Sequence, residues 1–182
     1  MACEYCDIIE GKKESAKIYE DSKIVAFLAD QPAAIGHIVV APKRHVPILE
    51  AVSDDELDQI FKIANNISVA AFESLKIEGT NIIVHNGVEA GQEAPHFSVN
   101  IISRKSGDGM VFEWVPKQLS EEEMATVELQ LKEEMEKPEV PAEIPKEVAA
   151  EGEEKKEGEA KGEKEGEEKE ESYLIKQLRR MP

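Results

Sequence analysis

Aromatic side chains are scarce in this chain, 5% of 182 residues, and from Pro138 to Ser172 there are none. The same stretch contains EGEEKKEGEAKGEKEGEEKEE, almost wholly Glu, Lys, Gly and Ala. Such residues bury too little apolar surface to offset the entropy of ordering, so disorder is expected there and the core is confined to the first two-thirds. Long hydrophobic runs are missing as well. No stretch approaches the roughly 20 apolar residues that span a bilayer, and MACEYCDIIEGKK lacks the basic-then-apolar order of a signal peptide. No membrane association is expected, and a cytoplasmic location is. Basic residues are outnumbered: 22 Lys and Arg against 39 Asp and Glu give a net charge of −17. The excess sits in the tail and in the acidic segment before it, which argues against general nucleic-acid binding, because phosphate contacts need clustered cations. The tail reads as a solubilising arm or as a segment for a basic partner. Only two cysteines occur, Cys3 and Cys6, too few for a disulfide framework. They suit a metal or redox pair in a reducing compartment.

What is present has clear periodicity. Ile18 to Phe27 reads as two extended pieces around the turn formers Asp21 and Ser22. Gly36 to Ala41 (GHIVVA) is apolar nearly throughout, as a central strand would be, and Pro42 stops it. Ser53 with Glu56 forms a capping-box signature at the start of a helix. The apolar face of that helix is expected to be Leu57, Ile60, Phe61, Ala64, Ile67, Ala71 and Leu75, with Gly79 ending the element. Asn81 to Val84 begins another strand, and Asn86 to Pro95 is an irregular loop. In HFSVNII, His96, Ser98 and Asn100 alternate with Phe97, Val99 and Ile101, so three polar side chains should face one way. Ser120 and Glu123 cap a further helix with the stripe Met124, Val127, Leu131 and Met135, to pack on the domain or on a copy of itself. Tyr173 to Met181 restores apolar residues, Leu174, Ile175 and Leu178, beside Lys176, Arg179 and Arg180. It reads as a partner-docking segment; the alternatives are a tether end or an element returning to the domain.

Cys3 and Cys6 form a C-x-x-C pair, and histidines stand at 37, 45, 85 and 96. Two thiolates and two imidazoles would complete a tetrahedral zinc site, although packed or merely reduced thiols fit the spacing too.

GHIVVAPKRH at 36–45 and NGVEAGQEAPHFSVNIISRK at 86–105 resemble the two signature segments of the histidine-triad (HIT) family, in the same order and spacing. The resemblance extends from about Cys3 to about Trp114. It implies an α+β fold, with an antiparallel sheet of about five strands and one major helix, usually as a homodimer. With the composition and periodicity of the rest of the chain, which lies outside the resemblance, the division is a HIT domain over 1–117, a C-terminal helix over 118–137, a disordered acidic linker over 138–171 and a short basic amphipathic segment over 172–182. Family members with a structural zinc hold it at positions that correspond to Cys3, Cys6, His45 and His96.

The same resemblance exposes departures. Family enzymes are nucleotidyl hydrolases or transferases, and attack an α-phosphate with the middle triad histidine, which corresponds here to Ser98. The third histidine corresponds to Asn100. A serine hydroxyl needs a nearby base and would leave a stable phosphodiester, so the covalent route should be lost. The aspartate that bonds ribose in the family aligns with Ala29; Asp30 is one step along, which on a strand means the opposite face. Asn86, Gly91 and Gln92 match positions that contact sugar and phosphate, and with Ser98 and Asn100 form the expected nucleotide-binding set, for a purine nucleotide. Glu93 adds negative charge where the family often has Ser or Thr. His37 is a candidate acid or base, or a histidine satisfied within the sheet. The resulting expectation is a catalytically silent, zinc-stabilised, dimeric HIT protein with a docking tail. The alternatives are a working hydrolase or transferase with a non-standard nucleophile, and a nucleotide sensor whose C-terminal segment reports occupancy.

Overall fold

The computed structural model describes residues 3–136. The expectations for 138–171 and 172–182 lie outside the described residues. The elements are α1 (Glu4–Ile9), β1 (Lys17–Glu20), β2 (Ile24–Leu28), β3 (Ile38–Pro42), α2 (Asp54–Leu75), β4 (Gly79–Ile83), β5 (Val99–Arg104) and α3 (Glu121–Met135). The five strands form one sheet in the order β1-β2-β3-β5-β4, with every neighbouring pair antiparallel. The fold is therefore the expected α+β arrangement with one major helix.

Strand β3 lies at the centre of the sheet and is buried at all of its positions, because both faces are covered. On one face Ile24, Ala26, Ile38, Val40, Val99 and Ile101 pack with Ile60, Ile63 and Ala64 of α2. On the other, Val25, Phe27, Val39 and Ala41 pack with Ile8 of α1, flanked by Tyr5 and Ile9. Successive side chains of a strand point to opposite faces, so a strand between two layers must be apolar throughout. That explains the unbroken run in IVVA. The β1–β2 turn is held by Asp21 Oδ1, which accepts from the Lys23 and Ile24 amides at 2.7 Å each.

Helix α2 starts with the predicted capping box: Ser53 Oγ accepts from the Glu56 amide, and the Glu56 carboxylate accepts from the Ser53 amide. Arg44 Nη2 also binds Glu56, at 2.7 Å. That guanidinium, foremost, holds the Glu56 carboxyl below its usual range. Ser53→Ala should cost about 1 kcal/mol of stability. Urea titration would read it as a lower midpoint at unchanged slope.

Three sequence expectations need correction. The helix ends at Leu75, not at Gly79: Lys76 takes the left-handed conformation (φ 52°) as its C-cap, and Gly79 is the first residue of β4. Phe61 is 46% exposed, while Ile63, absent from the expected face, is buried. The last strand begins at Val99, so His96 to Ser98 form its approach. Helix α3 has its predicted Ser120–Glu123 cap, but Met124, Val127, Leu131 and Met135 are all exposed. Among the described residues no helix is long and apolar enough to cross a membrane.

Candidate functional site

The short helix α1 is anchored by its cysteines. Cys3, its N-cap, has Sγ 3.5 Å from His96 Nδ1, and Cys6 Sγ lies 3.3 Å from His45 Nδ1 and 3.6 Å from His96 Nδ1. The ligand atoms of Cys3, Cys6, His45 and His96 all fall within 4.8 Å of one another. Tetrahedral coordination with metal–sulfur bonds of about 2.3 Å and metal–nitrogen bonds of about 2.0 Å separates sulfur from nitrogen by about 3.5 Å. The observed spacings match, so this group can hold a metal ion. His96 is 1% exposed, and its Nε2–H donates to the Pro42 carbonyl at 2.8 Å. That bond fixes the tautomer and leaves the Nδ1 lone pair facing the thiols, as an outer carbonyl does for a metal-bound histidine. Burial pushes the Cys3 thiol up, but hydrogen bonds with His45 and His96 outweigh it and bring it down to about 5. Cys6, desolvated and beside Cys3, is pushed up to about 12. Alone the pair carries one negative charge, and a bound cation would let both thiols ionise.

Next to this group lies a cavity of about 340 Å³ on the α1 face of the sheet. Tyr5 joins the two: its ring lies 5.9 Å from that of His96 and meets Phe27 edge-on at 5.4 Å, and its phenol interacts with Ser98 in the cavity lining. His96, Ser98 and Asn100 all line the cavity, as their alternation required, with Val39, Phe27, Ala29 and Ile8 as an apolar floor.

His37 stands on the cavity wall with both ring nitrogens engaged. Nδ1 accepts from the Ala33 amide at 3.2 Å, and so Nε2–H donates to Asn100 Oδ1 at 3.1 Å. Burial, foremost, lowers its pKa from 6.5, against a raising contribution from Asn100. Because protonation is easier in the unfolded chain, stability should fall as pH drops through the ordinary histidine value. An NMR titration is expected to place His37 below 6.5 in the folded protein. Asn100→Ala should lower it further.

The remaining residues singled out in the sequence are distributed unevenly. Gly91 and Gln92 line the cavity, but the Gln92 side chain is spent on the loop itself: Nε2 donates to Pro47 and Ala94 carbonyls, and Oε1 accepts from the Gly87 amide. Asn86 is not among the lining residues; its amide binds the Leu49 N–H and the Glu50 carboxylate. Its neighbour His85 faces the cavity instead, with Nδ1–H donating to the Ala90 carbonyl at 2.7 Å. Gly91 has φ +83°, and a Cβ there would come within 3.2 Å of His85 Nδ1. Asp30 also corrects an expectation. Strand β2 stops at Leu28, alternation no longer applies, and Ala29 and Asp30 line the same cavity. Tyr5, Glu4, Lys13, Gln31 and His85 also line the cavity and were not singled out as site residues from sequence.

Residues 10–107 match the family model described as "HIT domain". The chain belongs to the HIT family. An uncharacterized HIT-like protein of Methanocaldococcus jannaschii is 38% identical over 109 residues, covering 60% of this chain and 84% of that protein. A crystal structure of a HIT family member from Bacillus subtilis superimposes with a TM-score of 0.68 at 29% identity, over 73% of this chain and 96% of that one. A zinc-bound histidine-triad protein from Mycobacterium smegmatis has a TM-score of 0.59 at 27% identity, over 75% of this chain and 99% of that one.

Proposed function

We propose that this HIT-family chain is a catalytically silent member that keeps a ligand cavity but performs no nucleotidyl transfer. Ser98 and Asn100 occupy the second and third triad positions in this reading, and Ala29 the ribose-binding one. The observation that carries it is the surroundings of Ser98. Its hydroxyl interacts with the Tyr5 phenol, which is no base near neutral pH, and the neutral imidazole of His37 is committed to Ala33 and Asn100. Without a base a serine is a poor nucleophile near neutral pH. Hydrolysis of adenosine phosphoramidate by the purified chain tests the reading; turnover above background, lost in His37→Ala, would overturn it.

Zinc is the proposed metal. Two thiolates and two imidazoles form a closed donor set that leaves no position for a reactive water, the pattern of a structural site. The zinc-bound mycobacterial relative supports the choice. A homodimer is also part of the proposal, supported by exposed apolar residues Phe61, Val69 and Phe72 on α2 and Ile82 on the edge strand β4. The segment 173–182 remains the proposed docking element for a protein partner, and the cytoplasm the proposed location, since two free thiols persist in a reducing compartment.

A further inference from the structure

Helix α3 is the one α-helix among the described residues that buries none of its side chains. Its apolar stripe is nonetheless regular. At the helical period Met124, Val127, Leu131 and Met135 fall within one quadrant, and they are between 48% and 86% exposed. Glu121 and Glu128 border the stripe on one side, Glu123 and Glu134 on the other, and six glutamates against one lysine make the helix strongly acidic. Isolated helices of about 15 residues are marginal in water, so a cover over this stripe would stabilise α3.

The segment that fits such a surface is short, apolar on one side and cationic beside it. Residues 173–182, YLIKQLRRMP, have that composition. They carry Lys176, Arg179 and Arg180 and no acid, and at a helical period Leu174, Ile175, Leu178 and Met181 share one side. Stripe matches stripe and charge opposes charge. The acidic stretch between the two has the carboxylates but no leucine, methionine or aromatic side chain, so it offers only half of the match. Nor does the tether forbid the contact. The 36 residues 137–172 extend to about 120–130 Å at most, whereas the whole of α3 is about 22 Å long. Lying on one chain makes the contact intramolecular, so a weak pairing suffices to populate it. We propose that residues 173–182 dock on the apolar stripe of α3 of the same chain, their cations against its bordering glutamates. This rests on the reading of 173–182 as a docking element, and makes the chain itself the partner.

Zero-length carbodiimide coupling of the full chain, read by mass spectrometry, is expected to join Lys176 to Glu121, Glu128 or Glu134. When light and heavy-nitrogen chains are refolded together, each coupled peptide should be wholly light or wholly heavy. Hydrogen exchange gives a second readout. Leu174→Glu with Leu178→Glu should speed exchange of amides 124–136 about tenfold and leave those of α2 unchanged. Arg179→Glu with Arg180→Glu should do the same, more weakly in added salt. Adding Glu128→Lys with Glu134→Lys to that pair should restore protection, which a local effect of either pair would not do. Exchange in α3 unmoved by both 173–182 variants overturns the proposal, and so do peptides of mixed isotope, which would put a second copy on the stripe. Coupling of Lys176 only outside α3 also overturns it, but leaves the docking reading standing; no coupling of Lys176 anywhere sinks both.

Discussion

The purified chain is expected to leave adenosine phosphoramidate and dinucleoside polyphosphates intact, whereas Ser98→His combined with Asn100→His should hydrolyse them at least about 100-fold faster than the parent, about 2.7 kcal/mol of barrier. Imidazole is the reason. It attacks as a neutral amine near pH 7 and departs as a protonated group, so the covalent intermediate both forms and breaks down. A serine phosphodiester would form slowly and then persist. The gain is set well below the full reach of nucleophilic catalysis for two structural causes. The Tyr5 phenol meets Ser98 and must move aside for a larger ring, and Asn100→His removes the amide oxygen that now accepts the hydrogen bond from His37 Nε2–H. Adding Glu93→Gln should increase the rate again by easing phosphate entry. Steady-state assays on all three proteins would decide it. Turnover by the parent would place the chemistry elsewhere, and His37→Ala would then locate it.

Much of the scaffold was legible because it is written in local periodicity. The central strand announced itself in IVVA, and Ser53 with Glu56 marked the start of α2 to the residue. The end of α2 was not legible, since Lys76 caps it in a left-handed conformation that sequence assigns more readily to Gly79. Phe61 fits the spacing of the buried face yet is exposed, because Ile60, Ile63 and Ala64 supply the contact with the sheet. At the site, the four metal-binding candidates were named from spacing and resemblance, and they converge. What was missed came from loops and from a helix too short to announce itself. Helix α1 has six residues, too few for a periodic signal, yet it delivers Glu4, Tyr5 and Ile8 to the cavity. Asp30 reaches the cavity because a strand ends at Leu28, and His85, not Asn86, faces it. The signal for His85 was present in Gly91, whose missing side chain makes room for the ring.

Removal of metal should act on α1 before anything else. The proposed ion ties three chain segments together: Cys3 and Cys6 on α1, His45 just beyond β3, and His96 before β5. Without it α1 keeps buried Ile8 and the edge contact of Tyr5 with Phe27, but six residues cannot hold a helix on their own. The two-sided sheet core remains, so the chain should stay folded, unlike a zinc finger, which unfolds without metal. With free metal at a thousandfold its Kd the linkage is worth about 4 kcal/mol. For a domain of this size that is a fall in Tm of about 12–16 °C on chelation. Cys6→Ser should lose the metal and reproduce most of the fall. Hydrogen exchange would show where: amides of residues 4–9 should lose protection while those of 54–75 keep it. Since Glu4, Tyr5 and Ile8 form one wall of the cavity, that wall should loosen in the same preparations. A chain purified from a zinc-replete host without stoichiometric metal, and with a Tm indifferent to chelator, would reduce the four side chains to a thiol–imidazole packing cluster. The wall of the cavity would then have to be held by Ile8 and Tyr5 alone.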